Sequence, residues 1–491
     1  MNPLQRLVGN GLWWLSCLPD TALFLAATCA VERTQALLLK RLLRRNACTA
    51  YGRLHGFERI ASSAQYQEAA PLTGYEDYVP FVERIAAGEH RVLTREPVRL
   101  LEPTSGSSGG SKLIPYTSEL KRQFQRAIAP WVAALFAHDP GLFPTASYWT
   151  VTPAHDPGRR TEGGIPIGFE EDAEYLGPVA RRLVEWTQAV PSELSRIRDA
   201  EEFYRRTVEH LVASRDLGLI SAWSPSFLLV LCDRLPPGNH WPRLRWISCW
   251  CDGPSEPYAA RLKARFPGVR VQPKGLIGTE GIVSLPWPGV DGNPLALRSH
   301  FFEFLPVPEG PPRLAHQLER GRVYEVVLTT GGGFYRYRTG DLVRVRGFWR
   351  GCPTLGFLGR RGGVCDRFGE KLHPNHVQAA LARCVPEAEF SMVAFAQDAY
   401  ALFVQASGLS EEQLRERAAR LEQELLGNFH YGVCRHLGQL DALRCFRVRE
   451  GALEAYCEEQ VARGRRLGDV KPRSLEADAG WERVFRGHWL G

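Results

Sequence analysis

Apolar positions recur along this chain with two periods, and the switches between them outline its elements. From Val31 to Leu43 they fall at helical spacing, and Arg44-Arg45-Asn46 closes the pattern. Helix, turn and helix follow to Pro80, punctuated by Pro71 and Gly74, and Arg91–Leu101 reads as strand and connector. Ser118–Ala137 is a predicted helix, capped by Ser118, with Phe124, Ile128, Trp131, Val132 and Leu135 on one face. Tyr148-Trp149 starts a strand, and residues 173–217 are mainly helical. Ile220–Trp223 opens a βα unit whose helix has Pro225 near its first position. Leu244–Cys251, Glu256–Arg265 and Val269–Leu276 then read strand, helix, strand. That alternation predicts a parallel sheet, with ligands at the strand C-terminal ends. His300–Leu305 and Val323–Thr330 alternate as antiparallel strands. After a Gly-rich charged stretch, Phe357–Asp366, the chain predicts a helix after Lys371-Leu372-His373-Pro374, two strands in Phe390–Ala406, an amphipathic helix over 409–427, and strand and helix over 440–470.

The expected fold is therefore α/β. A large N-terminal domain, residues 1–361, holds mixed and parallel sheets flanked by helices. A small α+β lid follows, residues 362–491, with the hinge at Phe357–Asp366. Two or three domains suit the 491 residues. Residues 11–30 are the one candidate membrane segment, but Pro19 and Asp20 interrupt its middle and no cleavage pattern is clear. Two short helices packed on the body are expected there.

Composition narrows the function classes. Apolar residues at 44% and charged residues at 23% fit a soluble globular protein. The net charge of +7 is spread without a basic block, which argues against nucleic-acid binding. The twelve cysteines are scattered, with one C-x-C pair at Cys249 and Cys251 and no second pair at zinc spacing. Free thiols in a reducing, cytoplasmic setting are the simplest expectation. Of 61 basic residues only seven are lysine, at 40, 112, 121, 263, 274, 371 and 471. In a chain that defaults to arginine, each lysine is a candidate for a site needing a compact, mobile ammonium.

The chemistry gathers at Thr104-Ser105-Gly106-Ser107-Ser108-Gly109-Gly110-Ser111-Lys112. Glycines bring backbone close to a ligand, successive N–H groups make an anion-holding concavity, and hydroxyls and Lys112 add donors and charge. A phosphate-holding loop is one reading; a flexible linker is the bland one. A P-loop requires Gly where Ser111 stands. A nucleophile elbow at Ser108 requires a following helix, which Pro115 opposes. Asp341, after Gly340, can accept two ligand hydroxyls or cap its own turn.

Order and spacing of these motifs resemble the adenylate-forming superfamily. Its loop, x-G-x-T-E, Y-R-T-G-D and G-R hinge motifs and C-terminal lysine correspond to Thr104–Lys112, Leu276–Glu280, Tyr337–Asp341, Gly359-Arg360 and Lys471. A closer resemblance, from about residue 30 to 475, is to the auxin-responsive (Gretchen Hagen type) acyl acid amido synthetases, as a bacterial-type member. Leu42–Tyr51, Tyr75–Val82, Phe302–Pro306, Gly333–Val345 and Arg463–Arg473 carry it.

That resemblance implies ligation of an acid to an amino acid through an acyl adenylate, with ATP and Mg²⁺. It implies a β-barrel-like part in the large domain. It assigns Ser105, Ser107, Ser108, Gly109 and Lys112 to the phosphates. Gly253, Pro254, Leu276, Asp341 and Arg360 go to adenine and ribose, Glu280 to the metal, and Thr279 and Lys471 to catalysis. Arg361, Asp366 and Lys371 belong to the lid and hinge. Leu276 stands where the superfamily usually stacks an aromatic ring on adenine. The acyl pocket is expected between the helix after the loop and the central βαβ units, with Arg122 and Arg126 as a solvated face. The expected partners are a carboxylic acid and an amino acid, without nucleic acid or membrane, and the expected state is a monomer. An acyl-CoA ligase, a serine hydrolase using Ser108 and a non-catalytic nucleotide binder are the rivals.

Overall fold

In the computed structural model, the described residues are 3–103, 112–150, 158–168, 183, 185–197, 199–361, 365–397, 399–465 and 467–491. Five helices come first: α1 (Pro3–Thr28), α2 (Val31–Asn46), α3 (Ala50–Leu54), α4 (Ser63–Ala69) and α5 (Val79–Ala86). Residues 11–30 therefore do not break into two helices. One helix runs through Pro19, because its buried face is continuous: Trp13, Cys17, Thr21 and Phe24 recur every third or fourth residue. Trp13 and Cys17 pack with Val132, Leu135 and Phe136. No single described helix is long and apolar enough to cross a membrane; α1 and α2 pass that test only as a pair bent by 118°.

Strands β1 (Leu100–Pro103) and β2 (Leu113–Tyr116) pair antiparallel, so the Gly/Ser-rich stretch joins two strands of a hairpin. The predicted strand at Arg91–Leu101 is confined to that late segment. Helix α6 (Ser118–His138) follows; its cap is Thr117, which accepts from the Leu120 amide, and Ser118 is the first helical residue.

A parallel four-stranded sheet comes next, in order β3 (Ala146–Trp149), β4 (Leu217–Ser221), β5 (Trp246–Cys249), β6 (Arg270–Pro273). Tyr148-Trp149 ends its strand rather than starting it, since Ala146 already pairs with Leu217. Helices α7 (Ala200–Ala213), α8 (Pro225–Asp233) and α9 (Glu256–Arg265) make the crossovers. Between β6 and the next sheet, β7 (Ile277–Gly278) and β8 (Gly281–Ile282) form a two-residue hairpin turn at Thr279-Glu280.

The β-barrel-like part takes the form of a six-stranded antiparallel sheet. Its members are β9 (Asn293–Pro294), β10 (Phe301–Val307), β11 (Arg313–Leu314), β12 (Val323–Thr329), β13 (Tyr337–Trp349) and β14 (Cys352–Arg360). Asp341 lies within β13 rather than at a strand end, opposite Arg360.

The C-terminal unit is α+β. Helix α10 (Pro374–Cys384), strands β15 (Phe390–Ala396) and β16 (Ala399–Gln405), and helices α11 (Glu411–Leu426) and α12 (Phe429–His436) are followed by β17 (Asp441–Val448), α13 (Ala452–Ala462), β18 (Leu475–Glu476) and β19 (Gly487–Leu490). They build a five-stranded sheet of order β18-β15-β16-β17-β19. Three apolar clusters belong to one unit each, but a fourth is shared: Ile247, Tyr258 and Leu262 of the body with Phe390, Phe446, Tyr456 and Trp481 of the C-terminal unit.

Candidate functional site

Two neighbouring strands and one turn converge on a charged group. Asp341 on β13 and Arg360 at the end of β14 are register partners, and Arg360 Nε donates to Asp341 Oδ1 at 2.9 Å. A second guanidinium nitrogen donates to the Thr339 carbonyl at 3.2 Å, and Thr339 Oγ1 accepts from the Asp341 amide at 3.0 Å. The positive φ of Gly340 accommodates the register shift of β13 against β12 at this point. Asp341, then Glu280, holds the Arg360 charge against the opposing effect of burial, and its pKa is raised.

Glu280 is 8% exposed in the β7–β8 turn and makes no hydrogen bond or ion pair among the described residues. Its charge is felt by Tyr337, whose phenol burial raises first and Glu280 second. The same turn is tied to β2, because Tyr116 Oη donates to the Thr279 carbonyl at 2.5 Å. β2 is itself anchored by Tyr75, whose hydroxyl accepts from the Leu113 amide at 2.7 Å. Lys112 Nζ lies 5.5 Å from the centre of the same Tyr75 ring. Ser105, Ser107, Ser108 and Gly109 lie outside the described residues. The segment after them is strand β2, so the Ser108 elbow lacks the helix it requires.

Lys471 comes from the C-terminal unit. Its Nζ stands 3.5 Å over the Trp250 ring, just beyond β5. Burial lowers its pKa to about 8, while Asp341 pulls upward and Arg360 downward. The segment is held against the body, since Ser226 Oγ on α8 donates to the Val470 carbonyl at 3.4 Å. Gly253-Pro254 forms a 3₁₀ turn at the C-terminal end of the same strand. Gly253 has φ 58°, and a Cβ there would sit 3.4 Å from the Phe357 ring. Gln378 Nε2 on α10 donates to its carbonyl at 2.8 Å. Asp252 beside it is half-buried, and loss of solvent raises its carboxyl pKa; it accepts from the Phe357 amide at 3.4 Å. Leu276 packs against the main core cluster, its amide donating to Ser284 Oγ at 2.9 Å.

Asp341, Arg360, Glu280 and Lys471 are thus brought into one electrostatic group. The hinge residues are not. Arg361 donates to Glu325 Oε2 at 3.1 Å, and Asp366 and Lys371 are exposed. Arg122 is exposed, as a solvated face requires, whereas Arg126 is half-buried. Both ion-pair with Glu119, Arg122 also with Glu96, because Glu119 is buried and its charge requires partners. His373 accepts from the Asn375 amide and His376 bonds the Glu424 carbonyl. Sequence reasoning missed Trp250, Trp223 and Glu325. Two tryptophans at the ends of neighbouring parallel strands were the available signal.

Against known proteins, residues 21–237 match the GH3 family N-terminal domain, 294–360 its central domain and 374–478 its C-terminal domain. A jasmonoyl–L-amino acid synthetase of Nicotiana attenuata is 23% identical, covering 90% of this chain and 91% of the relative. A probable indole-3-acetic acid-amido synthetase of Oryza sativa subsp. japonica is 24% identical over 90% of each. The solved GH3.15 acyl acid amido synthetase in complex with 2,4-DB superposes with a TM-score of 0.82 at 18% identity, covering 97% of both chains. A 2-hydroxyisobutyryl-CoA ligase shares the fold at a TM-score of 0.53 and 13% identity, covering 94% of this chain and 89% of that one.

Proposed function

Because the chain belongs to the GH3 family, we propose that it is an adenylate-forming ligase that joins a carboxylic acid to an amino acid at the expense of ATP. In the first step an oxygen of the acid attacks the α-phosphorus of ATP and pyrophosphate leaves. In the second, the amine attacks the acyl carbon and AMP departs. A carboxylate is a poor electrophile, and both steps need positioning and charge neutralisation more than covalent help.

The observation that carries this reading is the meeting of Lys471, from the C-terminal unit, with Asp341 and Arg360, from the body, over Trp250. Lys471 stabilises the charge developing on the α-phosphate. Asp341 accepts the ribose hydroxyls and Arg360 keeps it oriented. Thr279, with its carbonyl pinned by Tyr116, offers its hydroxyl to the α-phosphate or the reacting carboxylate. Gly253-Pro254 and Leu276 flank the base, and Ser105, Ser107, Ser108, Gly109 and Lys112 hold the phosphates. Glu280, a hard oxygen donor without an internal partner among the described residues, suits Mg²⁺, which neutralises phosphate charge when bound. The test is pyrophosphate release across a panel of acids, then mass-spectrometric detection of amides across a panel of amino acids. Acid-dependent release followed by an amide supports the reading. A thioester formed only with coenzyme A, or no release with any acid, overturns it.

A further inference from the structure

One face of the parallel sheet, beneath α6, is polar although it is buried. The register sets Trp149, Ser221, Ser248 and Gln272 side by side across all four strands. Lys274, two residues beyond Gln272, continues that face and is 2% exposed. Its Nζ donates to Ser221 Oγ at 2.6 Å and to the Ala222 carbonyl at 3.2 Å. Three indoles box it in: Trp223 at 4.8 Å, Trp131 at 5.3 Å and Trp149 at 5.9 Å from ring centre. No carboxylate among the described residues pairs with it. The Trp149 indole N–H and the Ser248 and Ser147 hydroxyls on the same sheet are buried without partners.

A buried cation needs an anion, and buried donors need acceptors. Among the described residues no anion meets the Lys274 charge, and the Trp149 N–H has no acceptor. Trp223 also touches Trp250, at 5.8 Å between ring centres, and Trp250 lies under Lys471. Two indoles therefore separate the Lys274 ammonium from the ammonium of the activation site. Resting on the ligase reading above, we propose that Lys274 is a specificity residue for acids with a flat apolar body and a second carboxylate, remote from the one that is activated. The body would lie along the Trp223 and Trp250 rings, with the far carboxylate on Lys274 and the Trp149 N–H and the near one facing Lys471. Burial lowers the Lys274 ammonium to about 7, with Cys249 and Cys251 opposing it, and a bound carboxylate favours the charged form.

The experiment titrates the full-length protein by tryptophan fluorescence with matched acids, benzoate against terephthalate and phenylacetate against 1,4-phenylenediacetate. The wild type should bind the dicarboxylates about tenfold or more tighter, as expected for one charge-assisted pair. Lys274→Met should erase that preference while leaving monocarboxylate binding within about threefold, an additive change of under 1 kcal/mol. Lys274→Gln, which keeps a donor but no charge, should do the same and serves if the methionine variant does not fold. Equal binding of both series by the wild type, weakening of both series alike in the variants, or no quenching by any acid overturns the proposal. Tight dicarboxylate binding without pyrophosphate release on adding ATP would overturn the ligase reading instead and leave Lys274 standing.

Discussion

Lys471 holds its ammonium over the Trp250 ring with Asp341 as its main electrostatic support. Removing it takes a preorganised charge away from the transition state, so Lys471→Ala should slow pyrophosphate release by about 10² or more; an unchanged rate would show that another group acts there. The depressed pKa adds a sign that can be checked. Burial brings the ammonium down to about 8 from 10.5, so its charge is lost as pH rises through about 8, and the rate should fall there. Lys471→Arg keeps its charge and should flatten that fall even if it is slower overall. At Asp341 the loss is of a charged acceptor. Asp341→Asn should raise the KM for ATP roughly tenfold or more, since hydrogen bonds to charged groups contribute about 1.5–3 kcal/mol. An ATP KM equal to wild type would remove the residue from the nucleotide site.

Among the elements, α1 shows why an apolar N-terminal stretch with a proline in it stays on the body. Trp13 is 2% exposed and meets Phe136 of α6 at 6.2 Å and Trp149 of β3 at 5.4 Å, both edge-on. Trp13→Ala should cost about 3–5 kcal/mol in chemical denaturation; a loss under 1 kcal/mol would mean that α1 is dispensable to the core. The β5 end is the second telling element. It places Trp250, Cys251, Asp252 and Gly253 at the C-terminal edge of a parallel sheet, where the crossover leaves room for a ligand. α6 is the third, because its Trp131 indole donates to Gln272 Oε1 at 3.0 Å and ties the helix to the polar sheet face.

For the whole molecule, the body and the C-terminal unit share buried surface. Tyr258 and Ile247 cluster with Phe390 and Trp481, and Arg261 donates to the Glu389 carbonyl at 2.8 Å. Calorimetry should therefore show one cooperative unfolding transition; two well-separated transitions would mean that the shared contacts contribute little. The alternation of helix and strand and the parallel sheet were legible in the sequence, and the family resemblance pointed to Asp341, Arg360 and Lys471. Each rests on local rules: the period of apolar positions, turn residues, or a motif whose members lie close together along the chain. Continuity of α1 through Pro19, the pairing of Arg122 with Glu96, and the placing of Trp250 under Lys471 were not. The same holds for Lys274, which the sequence marked as one of seven lysines and nothing more. Those features arise from contacts across tens to hundreds of residues. Burial, which fixes the cost of a charge and the partner it must find, belongs to the packed chain and to no single segment of it.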